Sequence, residues 1–124
     1  MYSKYMFKPS PETFAEWSLA DLVDELLTSE PLQREGKTAR TLVKSDALTV
    51  VLTALRAGAS LHAHDAPGPV MVVPVRGEVV FEHGDSSSPV AHDGARALAM
   101  GHGLRHTVQA RVDSAFLLII GPRA

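Results

Sequence analysis

Residues 104–120 read Leu104-Arg105-His106-Thr107-Val108-Gln109-Ala110-Arg111-Val112-Asp113-Ser114-Ala115-Phe116-Leu117-Leu118-Ile119-Ile120, and they decide the fold class. Leu104, His106, Val108, Ala110 and Val112 alternate with Arg105, Thr107, Gln109, Arg111 and Asp113. Period two is the signature of a half-buried strand. After Asp113 the run Ala115–Ile120 is apolar throughout, as a strand covered on both faces would be. Two adjacent strands of these kinds call for a layered β structure with one interior and at least one covered exterior.

The same period gives candidate strands at 38–44, 47–56, 60–64, 70–76, 78–82 and 95–99. Ser45-Asp46, Gly58, Pro67-Gly68-Pro69, Gly77 and Asp93-Gly94 punctuate them as turns. The stretch Gly84-Asp85-Ser86-Ser87-Ser88-Pro89 is expected to be an exposed loop. Many short strands at regular spacing predict an all-β antiparallel sandwich or barrel. In 48–55, Leu48, Val50, Leu52 and Ala54 share one face and Thr49, Val51, Thr53 and Leu55 the other. A barrel has one interior, so a second apolar face needs a cover from a helix or a second subunit; a homodimer is expected.

The first 36 residues differ in kind. They carry net charge −4, against +2 for residues 37–124. Leu19, Leu22, Val23, Leu26 and Leu27 recur at helical spacing. Ser10 as cap, Pro11 at the first turn and Pro31 as terminator predict a helix over roughly 11–28. The chain is thus divided into an N-terminal helical arm, 1–36, and a β-barrel domain, 37–124. The arm is expected to pack on the barrel or on a partner subunit.

With 124 residues, 45% of them hydrophobic, the chain fits one domain with a modest core. Net charge −2 leaves no basic excess for nucleic acid, and no polybasic patch points to a membrane surface. No stretch has the form of a signal peptide or a membrane span, so a cytoplasmic protein is expected. The absence of cysteine removes disulfides and thiolate chemistry. Nor is there a serine–histidine–acid order or a phosphate-binding glycine loop.

Six histidines remain as the chemical resource. His62 and His64 lie two apart on a candidate strand, which predicts that both leave one face. Alternation puts His106 on an apolar face, where an unpartnered imidazole costs about 1–3 kcal/mol. A divalent metal shared by His62, His64 and His106 would supply the partner. A water, a backbone carbonyl or a metal-free ligand would serve as well. His83 reads as a surface residue beside the loop, and His92 as turn chemistry. His102, between Gly101 and Gly103, lies on a turn near the expected cavity mouth in a role other than ligation.

These motifs resemble those of small single-domain cupins. Gly58-Ala59-Ser60-Leu61-His62-Ala63-His64 with closing Gly77 is similar to the first cupin motif, and Gly103-Leu104-Arg105-His106 to the second. The Ala66-Pro67-Gly68-Pro69 turn and the stretch 101–118 are similar to short bacterial cupins of unassigned function. The resemblance spans roughly 38–120 and omits the helix. It implies a jelly-roll β-barrel, often dimeric, with a site in the barrel mouth. It carries His62, His64 and His106 over as metal ligands, and leaves His102, Met71 and Val108 as supporting or pocket residues. The motif glutamate has no counterpart: its place falls at Gly68-Pro69-Val70. Met100-Gly101 also stands where the second motif has a proline. Two functions follow. In one, three histidines hold iron, manganese, nickel or zinc and act on a small anionic organic molecule by dioxygenase-type or isomerase-type chemistry. In the other, the metal site is weakened or lost, and the barrel is a non-catalytic ligand-binding or sensor pocket.

Overall fold

The computed structural model describes residues 6–123. Two helices, α1 (Leu19–Leu27) and α2 (Glu30–Glu35), precede nine strands. These are β1 (Lys37–Lys44), β2 (Thr49–Leu55), β3 (Ser60–Asp65), β4 (Val70–Arg76), β5 (Glu78–His83), β6 (Ser86–Ala91), β7 (Leu98–Met100), β8 (Arg105–Ala110) and β9 (Ser114–Ile120). They form a five-stranded sheet, β1-β2-β9-β4-β7, facing a four-stranded sheet, β3-β8-β5-β6. The pairings within both sheets are antiparallel, as the alternation predicts.

The apolar faces divide between two cores. Leu55, Val72, Val79, Phe81, Val108 and Phe116 fill the space between the sheets. Leu52, Ala54 and Ala115 face outward and bury Leu22, Val23 and Leu26 of α1 with Leu32 of α2. The second face of β2 therefore has its cover, and the cover is the N-terminal helix. Gly77 alone links β4 to β5, at φ +74°; a Cβ there would overlap Ser114 Oγ and the Asp113 carbonyl.

The predicted helix is shortened and divided. Residues 11–18 are not helical: Ser10 N–H bonds to Thr13 Oγ1 at 2.8 Å and Thr13 N–H to Ser10 O at 3.1 Å, closing a turn. The cap of α1 is Ser18, whose Oγ accepts from Asp21 N–H. Helix begins where the apolar spacing begins, since tertiary burial supplies most helical stability. Pro31 does not end α1; it sits in the first turn of α2, where its missing N–H costs nothing. α2 ends at Gly36, φ +80°.

The expected 84–89 loop is also corrected. Gly84-Asp85 is a two-residue hairpin, and Ser86–Ala91 form β6, with His83 opposite Ser86. β6 is an edge strand, which tolerates Pro89. The strand expected at 95–99 forms at Leu98–Met100, after a turn in which Ala95 has φ +51°.

Register shows which ends of the strands meet. Lys44 opposes Thr49, Thr49 opposes Ile120, and Val70 opposes both Ile120 and Met100. In the other sheet Asp65 opposes Arg105, and His83 opposes Ser86. The turn 66–69 joins the two sheets at this end, held by Ala66 N–H to Leu104 O at 3.0 Å. This end is the barrel mouth.

Candidate binding site at the barrel mouth

The first strand of the site, β3, is irregular where it matters. Leu61 opposes Val108 and His64 opposes His106. Two residues, His62 and Ala63, therefore stand against the single Thr107. This is a β-bulge, and it interrupts the alternation of faces. Leu61 and His64 line the interior cavity and His62 does not, although both histidines are exposed. The expectation that His62 and His64 leave one face is overturned by that inserted residue. Among the described residues, no three His, Asp or Glu side chains cluster closely enough to hold a metal ion. The three-histidine set thus does not fit a metal in this arrangement; two of its members come together.

Those two are closely matched. The rings of His64 and His106 lie 4.1 Å apart, centroid to centroid, at 60°. His64 Nδ1 is 2.8 Å from the His62 carbonyl oxygen, and His106 Nδ1 is 3.0 Å from that of Leu104. A carbonyl only accepts, so in each case Nδ1 donates and the neutral ring keeps its lone pair on Nε2. Neither Nε2 has a hydrogen-bond partner among the described residues. Phe81 stacks on His106 at 6.0 Å and 22°, and meets Phe116 edge-on at 5.7 Å. His106 is 5% exposed. Burial lowers its pKa below the ordinary histidine value. The Leu104 carbonyl opposes that shift and the neighbouring His64 adds to it, with smaller contributions from Asp65 and His83.

The pair stands at a cavity of about 180 Å³, otherwise lined by apolar side chains such as Val70, Phe81, Met100, Val108, Phe116 and Leu118. Val108 takes the pocket position expected of it. Met71 does not: Val70 and Val72 face the core, while Met71 points away and is 45% exposed. His102 is exposed on its turn and does not line the cavity. His83 was missed as a mouth residue. It lies two positions beyond Phe81, at the end of β5, and shares with His106 a cleft outside the cavity. The signal for it was its same-face spacing from Phe81, legible only if β5 lies beside β8. His92 lies at the far end of the barrel, by the Glu78–Arg111 ion pair of 2.7 Å.

No family model matches the chain, and no curated protein matches it. Solved structures do. One is the conserved protein SPY1581 of unknown function from Streptococcus pyogenes, at 20% identity and TM-score 0.70, covering 98% of this chain and 97% of that one. Another is a cupin superfamily protein from Desulfitobacterium hafniense, at 15% identity and TM-score 0.71, covering 97% and 99%. A third is a mutant salicylate 1,2-dioxygenase from Pseudoaminobacter salicylatoxidans, at 15% identity and TM-score 0.68, covering 86% of this chain and 34% of that one. At these identities the likeness shows the fold, a cupin double-stranded β-helix. Among the described residues no helix is long and apolar enough to cross a membrane.

Proposed function

We propose that this chain of cupin fold binds a small organic molecule in the barrel mouth, its apolar body in the cavity and a hydrogen-bond donor on Nε2 of His64 and His106. The observation that carries the reading is the pair of unused Nε2 lone pairs beside an otherwise apolar cavity. A few placed polar groups in an apolar pocket are what orient a ligand. The volume of about 180 Å³ is below the range of drug-sized sites and selects a small body.

A second reading keeps a divalent metal, iron, manganese, nickel or zinc, and with it an enzymatic role. Its support is the tautomer: both imidazoles are held by carbonyls in the form that metal ligands adopt. With His62 on the bulge, that reading requires β3 to change register on loading.

Elemental analysis of protein purified without added metal, then with each of the four metals offered, separates the two. A protein that takes up no metal, yet is raised in melting temperature by short-chain alcohols in wild type and His62→Ala but not in His106→Ala, supports the pocket. Near-stoichiometric metal, lost in both His62→Ala and His106→Ala while each stays folded, overturns it in favour of the three-histidine centre.

The dimer belongs to the same reading. Val50, Ile119, Met71 and Ala99 are aligned across β2, β9, β4 and β7 on the outward face. They lie outside the cluster that α1 covers. We infer that a second copy packs there.

A further inference from the structure

We propose that the ligand of the barrel is an acid, its anionic group held at the mouth by Lys44 and Arg123. The inference rests on the pocket reading above and adds the chemical class of what enters it. Beside the apolar cavity lies a second hollow of about 340 Å³. Pro67 and Ile120 line both, so the two share a wall at the mouth. Among the described residues the outer hollow is lined by Lys44 and Arg123 against a single acid, Asp46, which leaves that lining net positive. Neither cation has an ion-pair partner among the described residues, a condition they share with Lys8, Lys37, Arg56 and Arg96, but of these six only Lys44 and Arg123 line the hollow that shares Pro67 and Ile120 with the cavity.

The contrast with the other side of the mouth gives the direction. There the cleft holds Glu82, and Arg105 is already bound to Asp65 at 3.3 Å. An anion leaving the cavity past His106 would meet Glu82 beside an Arg105 already engaged; one leaving past Pro67 and Ile120 meets Lys44 and Arg123 against the one carboxylate of Asp46. Register sets the reach. Lys44 opposes Thr49 and Thr49 opposes Ile120, so Lys44 lies two strands, roughly 10 Å, from Ile120. Arg123 follows Ile120 by three residues. The molecule that satisfies both ends carries a donor for the histidines, a short apolar body and a terminal carboxylate or comparable anion. A charge-assisted contact at a mouth is stronger than a neutral one and weakens with salt.

The test uses the full chain and matched probes. Calorimetric titration compares straight-chain 1-alkanols from butanol to octanol with the ω-hydroxy acids of the same lengths. It is run on wild type and on the double variant Lys44→Gln, Arg123→Gln. Expected are alcohol binding in both proteins, at least about tenfold tighter binding of one acid length by wild type, and loss of that advantage in the double variant and in high salt. Alcohol binding with no preference for acids, or an acid preference that survives the double variant, overturns the acid site and leaves the pocket reading standing. Failure of every alcohol and acid to bind overturns both.

Discussion

His106 is one side chain under two opposed demands. It must be buried to sit between Phe81 and the cavity, and it must stay neutral to be buried without a counter-charge. Its lowered pKa is the result, and the sign of the stability effect follows. An unfolded histidine titrates near about 6.5, and the folded one below it, so under acid the unfolded chain binds more protons. Stability is fully present above the unfolded value and falls as pH drops through the window down to the folded one. Urea midpoints measured between pH 7.5 and 5 should decrease, and decrease less in His106→Leu; an identical slope in the two proteins overturns the assignment. At this scale, the sequence made His106 legible as an inward histidine, because strict alternation from Leu104 to Val112 left it no other face. His62 was not legible. A bulge is a property of how β3 pairs with β8, and nothing in His62-Ala63-His64 marks the extra residue.

Among the elements, α1 shows how much a periodic pattern decides. Leu22, Val23 and Leu26 fall on one side by spacing alone, and the structure buries all three. The ion pairs at its edge, Asp24 with Arg76 at 2.6 Å and Glu25 with Arg40 at 3.0 Å, are partly exposed and contribute little beside that burial. Leu22 is fully buried, so Leu22→Ala should cost about 2–5 kcal/mol in urea unfolding. A change under about 1 kcal/mol would mean that the helix is an accessory to the sheet and not its cover. The extent of the helix was less legible than its face. Ser10-Pro11-Glu12 is a start signal that another outcome shares: the same residues close a turn, and helix waits for an apolar stripe to bury. β6 was hidden for the converse reason. Three serines and a proline carry no strand signal, yet an edge strand needs only backbone pairing, and β5 supplies it.

On the scale of the whole molecule, the five-stranded sheet has an outer face that one short helix cannot finish. The row Val50–Ile119–Met71–Ala99 lies beside the covered cluster, and Met71 is among the most exposed large apolar side chains. Sedimentation equilibrium should give twice the chain mass for wild type and one chain mass for Met71→Glu, Ile119→Glu. A monomeric wild type at micromolar concentration overturns the second-copy reading.

The class of structure was legible along the chain: strands from period two, a helix from the three- and four-residue spacing, two covered faces from runs apolar throughout, and one inward histidine, His106, from its place in the alternation. Those are local regularities, and backbone geometry reads them without knowing what lies opposite. Every relation between elements is a property of the folded whole. The fold set which strand is bulged and so which histidines meet, which side of the mouth keeps unpaired cations, and which residues of an apolar strand face the cavity, the helix or the open surface. Pairing register and sheet packing depend on contacts between residues far apart in the chain, and no window along it contains them.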